Sequence, residues 1–386
     1  MVDETSAVKG HPRNYTPRPQ VLHDLSALPA YPGACTERLR DGEHGEVVLD
    51  CGGAGDMATM DGGKTWRPYA GTRLWPAGYF GPFDTGDDLV ALPPNPWEEL
   101  KALPPGQFAG SGIMRSRDGG RIWREEEAIP PAAPTDRFPR LRGPQIFGVT
   151  VTRTGRIIVP ETYCTGDEGS DPDVIFTLTS GDGGHMWQRS AAIGPADPCP
   201  NGTEGWGEPS VAELPDGRLW MVFRTVFGEL WQCVSSDGGL TWSSPSPTGL
   251  ASPLANAIAA RVPGSDAVLL IWNFARPGPS GEWGAGSSEL NVWGPREPLV
   301  FAVSHDSCRT WSCPTVIYDG RAVYPNVHFS ETQIYICFSG CPTFGGPALA
   351  VYDRREVLGQ SAWTRETIKP YIDAGLVAPW LSLAIP

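Results

Sequence analysis

No apolar run in this sequence approaches the ~18 residues that cross a bilayer as a helix. Amphipathic helical periodicity is nearly absent, with Trp97–Lys101 the one short stretch that could be helical. Basic residues are scarce: 30 Lys and Arg stand against 44 Asp and Glu, for a net charge of −14. Binding a phosphate backbone needs a basic surface, so nucleic-acid and membrane-spanning roles are both excluded. The six histidines form no ligand cluster, and the cysteines lack the paired C-x2-C spacing of a zinc site. Neither a metal nor another cofactor is therefore expected. The stretch Met1–Asn14 lacks the apolar core of a secretory signal, which implies the cytoplasm unless the chain is a trimmed secreted form.

Glycine (47), proline (40) and aromatic residues (15 Trp, 13 Phe, 10 Tyr) are plentiful, enough turns and bulky rings for a folded chain. Nine cysteines leave at least one unpaired. Cys35 and Cys51 flank the turn Asp41–His44 almost symmetrically, which would set them opposite each other in a hairpin. Reduced thiols and oxidised pairs both fit these spacings.

One phrase repeats along the chain. Its copies are Thr59–Trp66, Ser116–Trp123, Ser180–Trp187, Ser235–Trp242 and a degenerate Ser304–Trp311. Each full copy reads Ser/Thr-x-Asp-Gly-Gly-x-x-Trp, and the period is roughly 60 residues, the mark of a repeat architecture. Asp followed by two glycines is turn chemistry, because the carboxylate accepts backbone N–H bonds and glycine tolerates positive φ. The closing Trp is expected to be buried between neighbouring sheets, equivalently in each repeat. Strand-like runs closed by turns lie between the copies, as in Val211–Leu214, Pro215–Gly217 and Arg218–Phe223. Four strands per 60 residues describe a propeller blade, and the length accommodates six. The blade without a box is expected to form by joining the two chain ends.

These boxes are Asp-boxes, and the whole chain resembles the sialidase superfamily, most strongly from about residue 140 to 330. The resemblance implies an all-β, six-bladed β-propeller with Asp-box repeats. It would be one domain over residues 1–386, with an N-terminal extension over about 1–20 and a loop-rich insertion at 73–107. Glu208, opening Glu208–Leu214, matches the family's catalytic glutamate, and Tyr324 in Val323–Asn326 its nucleophilic tyrosine. Arg224 and Arg296 match two arginines of its carboxylate-binding triad. The first-blade arginine has no counterpart, since Ala30–Cys35 stands in its place. The acid-bearing loop is shortened to Asp50–Asp56, with Asp56 the candidate proton donor.

A tyrosine is a weak nucleophile at its ordinary pKa near ~10, and a carboxylate within hydrogen-bond reach activates it. Two guanidinium forks suit a carboxylate or sugar hydroxyls. Some relatives, the propeller exo-arabinanases, use two glutamates, so Glu161 beside Glu208 is a second candidate catalyst, with Tyr163 as a substrate contact. The insertion carries Trp75, Tyr79, Phe80, Phe83 and Trp97, rings that suit sugar faces. The expected activity is an exo-acting glycoside hydrolase removing a terminal sugar, acidic or neutral, with a carbohydrate as the partner. The alternatives are a polysaccharide lyase with Tyr324 as base, or a non-catalytic sugar-binding or assembly propeller.

Overall fold

The computed structural model describes residues 21–24, 35–37, 47–50, 57–61, 64–68, 80–85, 88–92, 113–118, 122–126, 129, 132–133, 141–146, 148–164, 173–194, 206–275, 296–341 and 346–385. After β1 (Val21–Asp24), the first antiparallel sheet comprises β2 (Cys35–Glu37), β3 (Val47–Asp50), β4 (Met57–Thr59) and β5 (Arg67–Pro68). The next holds β6 (Phe80–Asp84), β7 (Leu89–Leu92), β8 (Met114–Ser116) and β9 (Arg124–Glu125). A five-stranded sheet follows, with β10 (Arg142–Ile146), β11 (Thr150–Val151), β12 (Ile157–Cys164), β13 (Val174–Ser180) and β14 (Gln188–Arg189). Then come β15 (Gly207–Glu213), β16 (Leu219–Arg224), β17 (Glu229–Ser235) and β18 (Ser246–Ala251). The fifth sheet is β19 (Ile258–Arg261), β20 (Val268–Asn273), β21 (Leu299–Ser304) and β22 (Thr315–Tyr318). The last holds β23 (Val323–Phe329), β24 (Gln333–Cys341) and β25 (Gly346–Asp353).

Strands of neighbouring sheets touch one another: β2 meets β6, β12 meets β15, β15 meets β19, β19 meets β23, and β23 returns to β2. Strands that meet in a ring while their sheets radiate outward make a β-propeller arrangement. The last sheet, which has no box, takes β1 as its fourth strand, Val21 opposite Val351 and Asp24 opposite Ala348. In the first sheet Cys35 pairs with Asp50, one residue short of Cys51, which lies outside the described residues. Cys233, Cys308 and Cys313 are free thiols. Trp97–Lys101 also lies outside the described residues.

Packing explains why strands such as Val268–Trp272 are apolar at every position. Val268, Leu270 and Trp272 face the fourth sheet, beside Trp220 and Val222. Leu269 and Ile271 face the last sheet, beside Ile336 and Ala350. Both faces of an interior sheet are covered, so neither accepts polar residues. Each such side chain contributes ~1.5–3 kcal/mol.

The boxes close the turns between third and fourth strands. In the third sheet Ser180 Oγ donates to Asp182 Oδ1 (2.8 Å), which also accepts from Met186 N (2.9 Å). The same bonds recur around Asp237 and Asp306. The degenerate box holds this backbone with side chains present: Ser307 and Cys308 take φ of +64° and +63°. The boxes also tie neighbouring sheets. Buried Arg115 of β8 donates to the carbonyls of Gly183 (2.9 Å) and Gly184 (3.0 Å). Thr177 of β13 donates to Gly239 O (2.6 Å).

Equivalent burial of the five box tryptophans does not hold. Trp311 is buried, whereas Trp66, Trp123, Trp187 and Trp242 are half-buried. The outer strands face solvent, and Trp311 differs because a C-terminal segment covers it. That segment has helices Arg354–Leu358 and Arg365–Asp373 and a 3-10 turn Pro379–Ala384. Trp363 N donates to Trp311 O (2.7 Å), Ala251 N to Leu376 O (2.9 Å), and Trp363, Ile368 and Tyr371 join the core holding Trp220 and Trp272. Among the described residues no helix is long and apolar enough to cross a membrane.

Trp311→Ala should lower stability by ~3–5 kcal/mol in urea unfolding, and Trp187→Ala by clearly less. Box acids give a second test. The Thr65 hydroxyl and backbone hold Asp61 down to about 2. At Asp237 burial pushes upward, but the bonds from Thr241 outweigh it and hold the carboxyl to about 2. Carboxyls lowered by folding stabilise above their unfolded value of ~3.9 and lose that contribution as pH falls through the folded value. The urea midpoint should therefore drop between pH ~4 and ~2, and Asp237→Asn should flatten part of that drop.

Candidate active site

In an antiparallel sheet the start of the first strand, the end of the second and the start of the third lie at one end. The boxes lie at the other. Glu208 begins β15, Arg224 ends β16 and Tyr324 begins β23, so all three sit at the end away from the boxes.

Glu208 and Tyr324 share a local geometry. Each precedes a proline, Pro209 or Pro325, and each takes a left-handed backbone, φ +49° and +50°. The pairing register slips at both places, between Gly207 and Ser210 and between Val323 and Asn326. Proline has no N–H to give the ladder, so the strand bulges there and redirects the side chain before it. A non-glycine residue at positive φ costs of order 1–3 kcal/mol, and such strain clusters at functional sites.

Each of these residues has an arginine. Arg224 Nη1 lies 2.9 Å from Glu208 Oε2, with both side chains buried. Glu208 N donates to Thr162 Oγ1 on β12 (3.0 Å), fastening the bulge to the neighbouring sheet. A Cβ on Gly207 would lie 3.3 Å from Asp173 Oδ2 and 3.6 Å from Arg224 Nε, so the buried Asp173 carboxylate borders the same guanidinium. The Arg296 guanidinium stands over the Tyr324 ring, 5.9 Å from its centroid, and donates through Nη2 to Leu254 O (3.0 Å). Asn273 Nδ2 donates to the carbonyls of Arg296 (2.9 Å) and Ala322 (3.0 Å), holding both approach segments.

Glu161 and Tyr163 belong elsewhere. Successive strand residues point to opposite faces; the Thr162 hydroxyl meets Glu208, so its two neighbours turn away. Arg189 grips Glu161 through Nε (2.7 Å) and Nη2 (3.2 Å) in a buried ion pair. Burial pushes the Glu161 carboxyl up, against the pull of Arg189. Tyr163 is fully buried against Phe176, its hydroxyl accepting from Ala132 N (3.1 Å), and burial raises its pKa. The structure thus places Glu161 against Arg189 and Tyr163 against Phe176 within the third sheet. Asp56 lies outside the described residues, as do the side chains of the aromatics at Trp75, Tyr79, Phe80, Phe83 and Trp97. Among the described residues no group of three or more His, Cys, Asp or Glu could hold a metal ion.

Two solved structures support the fold. A mutant of Trypanosoma rangeli sialidase displaying trans-sialidase activity matches with TM-score 0.51 at 14% identity, over 81% of this chain and 52% of that one. A protein of unknown function from Dyadobacter fermentans matches with TM-score 0.53 at 18% identity, over 80% and 83%. A mutant of the NanB sialidase from Streptococcus pneumoniae matches with TM-score 0.46 at 18% identity, over 64% and 36%. The chain therefore spans about a third to a half of the length of these sialidases. No curated protein matches the sequence. Box turns, the strand contacts and the two neighbours with TM-scores above 0.5 agree in a β-propeller arrangement. The BNR repeat-like domain model matches residues 97–336, and the chain belongs to that family.

Removing one partner of a buried ion pair strands the other charge. Glu161→Ala should therefore lower stability by ~3–5 kcal/mol in chemical denaturation, with Arg189→Met similarly affected.

Proposed function

We propose that the six sheets are the blades of one six-bladed propeller domain, and that the protein is an exo-acting glycoside hydrolase removing a terminal sugar from a glycan. The observation that carries this reading is the matched pair of strained pre-proline bulges. Strain at two pre-proline strand starts, one carrying a carboxylate and the other a phenol, each beside a guanidinium, supports presentation of those groups to a ligand.

Under this reading Glu208 takes the Tyr324 proton and the phenolate oxygen attacks the anomeric carbon. The glycosidic C–O bond breaks, and the leaving oxygen takes a proton from a first-sheet acid, for which Asp56 is the candidate. Water then attacks the same carbon, giving its proton to that acid's conjugate base. The phenolate departs and recovers its proton from Glu208. Two inversions return the original anomeric configuration. Arg224 and Arg296 orient the sugar through a carboxylate or hydroxyls. Since Ala30–Cys35 supplies no third arginine, a neutral sugar suits the site as well as an acidic one.

The test is a panel of fluorogenic glycosides, acidic and neutral, assayed with the full chain. One should be hydrolysed with retention, and Tyr324→Phe and Glu208→Gln should each lower kcat by at least ~100-fold. Tyr324→Phe should unfold like wild type, whereas Glu208→Gln, which removes the charge beside Arg224, should melt lower while still folded at the assay temperature. Full activity in both variants would overturn the reading.

A further inference from the structure

Blade register identifies another residue at the level of Glu208 and Tyr324. The first strands of the last three sheets end in equivalent pairs: Glu213 opposite Leu219, Arg261 opposite Val268, Phe329 opposite Ile334. Five residues before the first member of each pair stand Glu208, Asn256 and Tyr324, the first and last on one-residue bulges, so that Asn256 is level with Gly207 and Val323 beside them. Strand β19 touches both β15 and β23, so Asn256 occupies the intermediate position around the axis. Continuing the register of Ile258 with Ile271 places Asn256 opposite Asn273, as Gly207, next to Glu208, lies opposite Arg224. The fifth sheet thus holds two amides where the fourth holds an ion pair.

Asn256 is 4% exposed, and its Oδ1 is buried without a hydrogen-bond partner. Asn273 Oδ1 is likewise buried without one, but its Nδ2 is committed to the Arg296 and Ala322 carbonyls, which makes it a positioning residue. A buried amide oxygen is costly to leave without a donor. Since β19 lies between β15 and β23, a ligand bound between Glu208 and Tyr324 is a source of one.

We propose that Asn256 is a specificity-determining residue whose Oδ1 accepts a hydrogen bond from a neutral donor on the bound sugar, a ring hydroxyl or an acylamino N–H. This rests on the hydrolase reading above. A site built to bond such a donor discriminates strongly against analogues that lack it, because the buried acceptor is then stranded.

The test uses the glycoside that the wild-type chain hydrolyses, its monodeoxy analogues and, where it is an amino sugar, its deacylated analogue. Wild type should prefer the parent over one analogue by roughly tenfold to a hundredfold in kcat/KM. Asn256→Leu, close in shape without the acceptor, should lose that factor on the parent and no longer discriminate against that analogue. Asn256→Asp, which keeps an acceptor, should retain the preference. Thermal unfolding checks that each variant folds, and should Asn256→Leu not fold, Asn256→Ala replaces it. Unchanged kcat/KM and analogue ranking in the Leu or Ala variant, with Tyr324→Phe inactive, would overturn this inference and leave the hydrolase reading standing. Absence of turnover by wild type on every glycoside would overturn both.

Discussion

Everything in this fold depends on covering both faces of each sheet. Val268–Trp272 sends alternate side chains into two different cores, one shared with the preceding sheet and one with the following sheet. A row of such sheets has two exposed ends unless it closes on itself. Closure is made by backbone hydrogen bonds between β1 and β25, which join distant parts of the chain in one sheet. The last sheet lacks a box and is held by that pairing. The C-terminal segment adds a second tie, bridging to Leu250 and Ser312 on the outer strands of the fourth and fifth sheets.

A closed ring divides labour between its two ends. At one end the boxes saturate their own turns with Ser, Thr and Asp hydrogen bonds and hand carbonyls to the neighbouring sheet, as Gly183 and Gly184 do to Arg115. At the other end the first strands begin next to one another, and irregular backbone is tolerated because adjacent sheets hold it. Thr162 receives the Glu208 amide, and Asn273 holds the segments leading to Arg296 and Tyr324. The strain at Glu208 and Tyr324 is sustained by contacts that neither strand makes alone.

The fold was legible because its signals are local. Five boxes, strand-length apolar runs and turn residues report short-range geometry, and the all-β propeller arrangement follows from their period. At Glu208-Pro209 and Tyr324-Pro325 the bulges came from the structure, where proline withholds an N–H from the ladder. Less legible was the C-terminal segment, whose helices are short and contain Pro370, although Thr364 and Thr367 form a capping box. Its covering of Trp311 breaks the equivalence that the repeat suggested.

Glu161 shows where local reasoning stops. Its place after Ile158–Pro160 leaves both faces of β12 open to it, and strand alternation relates it to its neighbours without saying which face is which. Arg189, distant in sequence, settles the matter by pairing with it inside the third sheet, while Thr162 meets Glu208. The sequence by itself determined the repeat, the turn chemistry of the boxes and the residue types at each strand start. Only the tertiary structure decided which of those residues meet, Glu208 with Arg224 and Tyr324 with Arg296. Ring closure brings together strands more than a hundred residues apart, and no spacing along the chain encodes that distance.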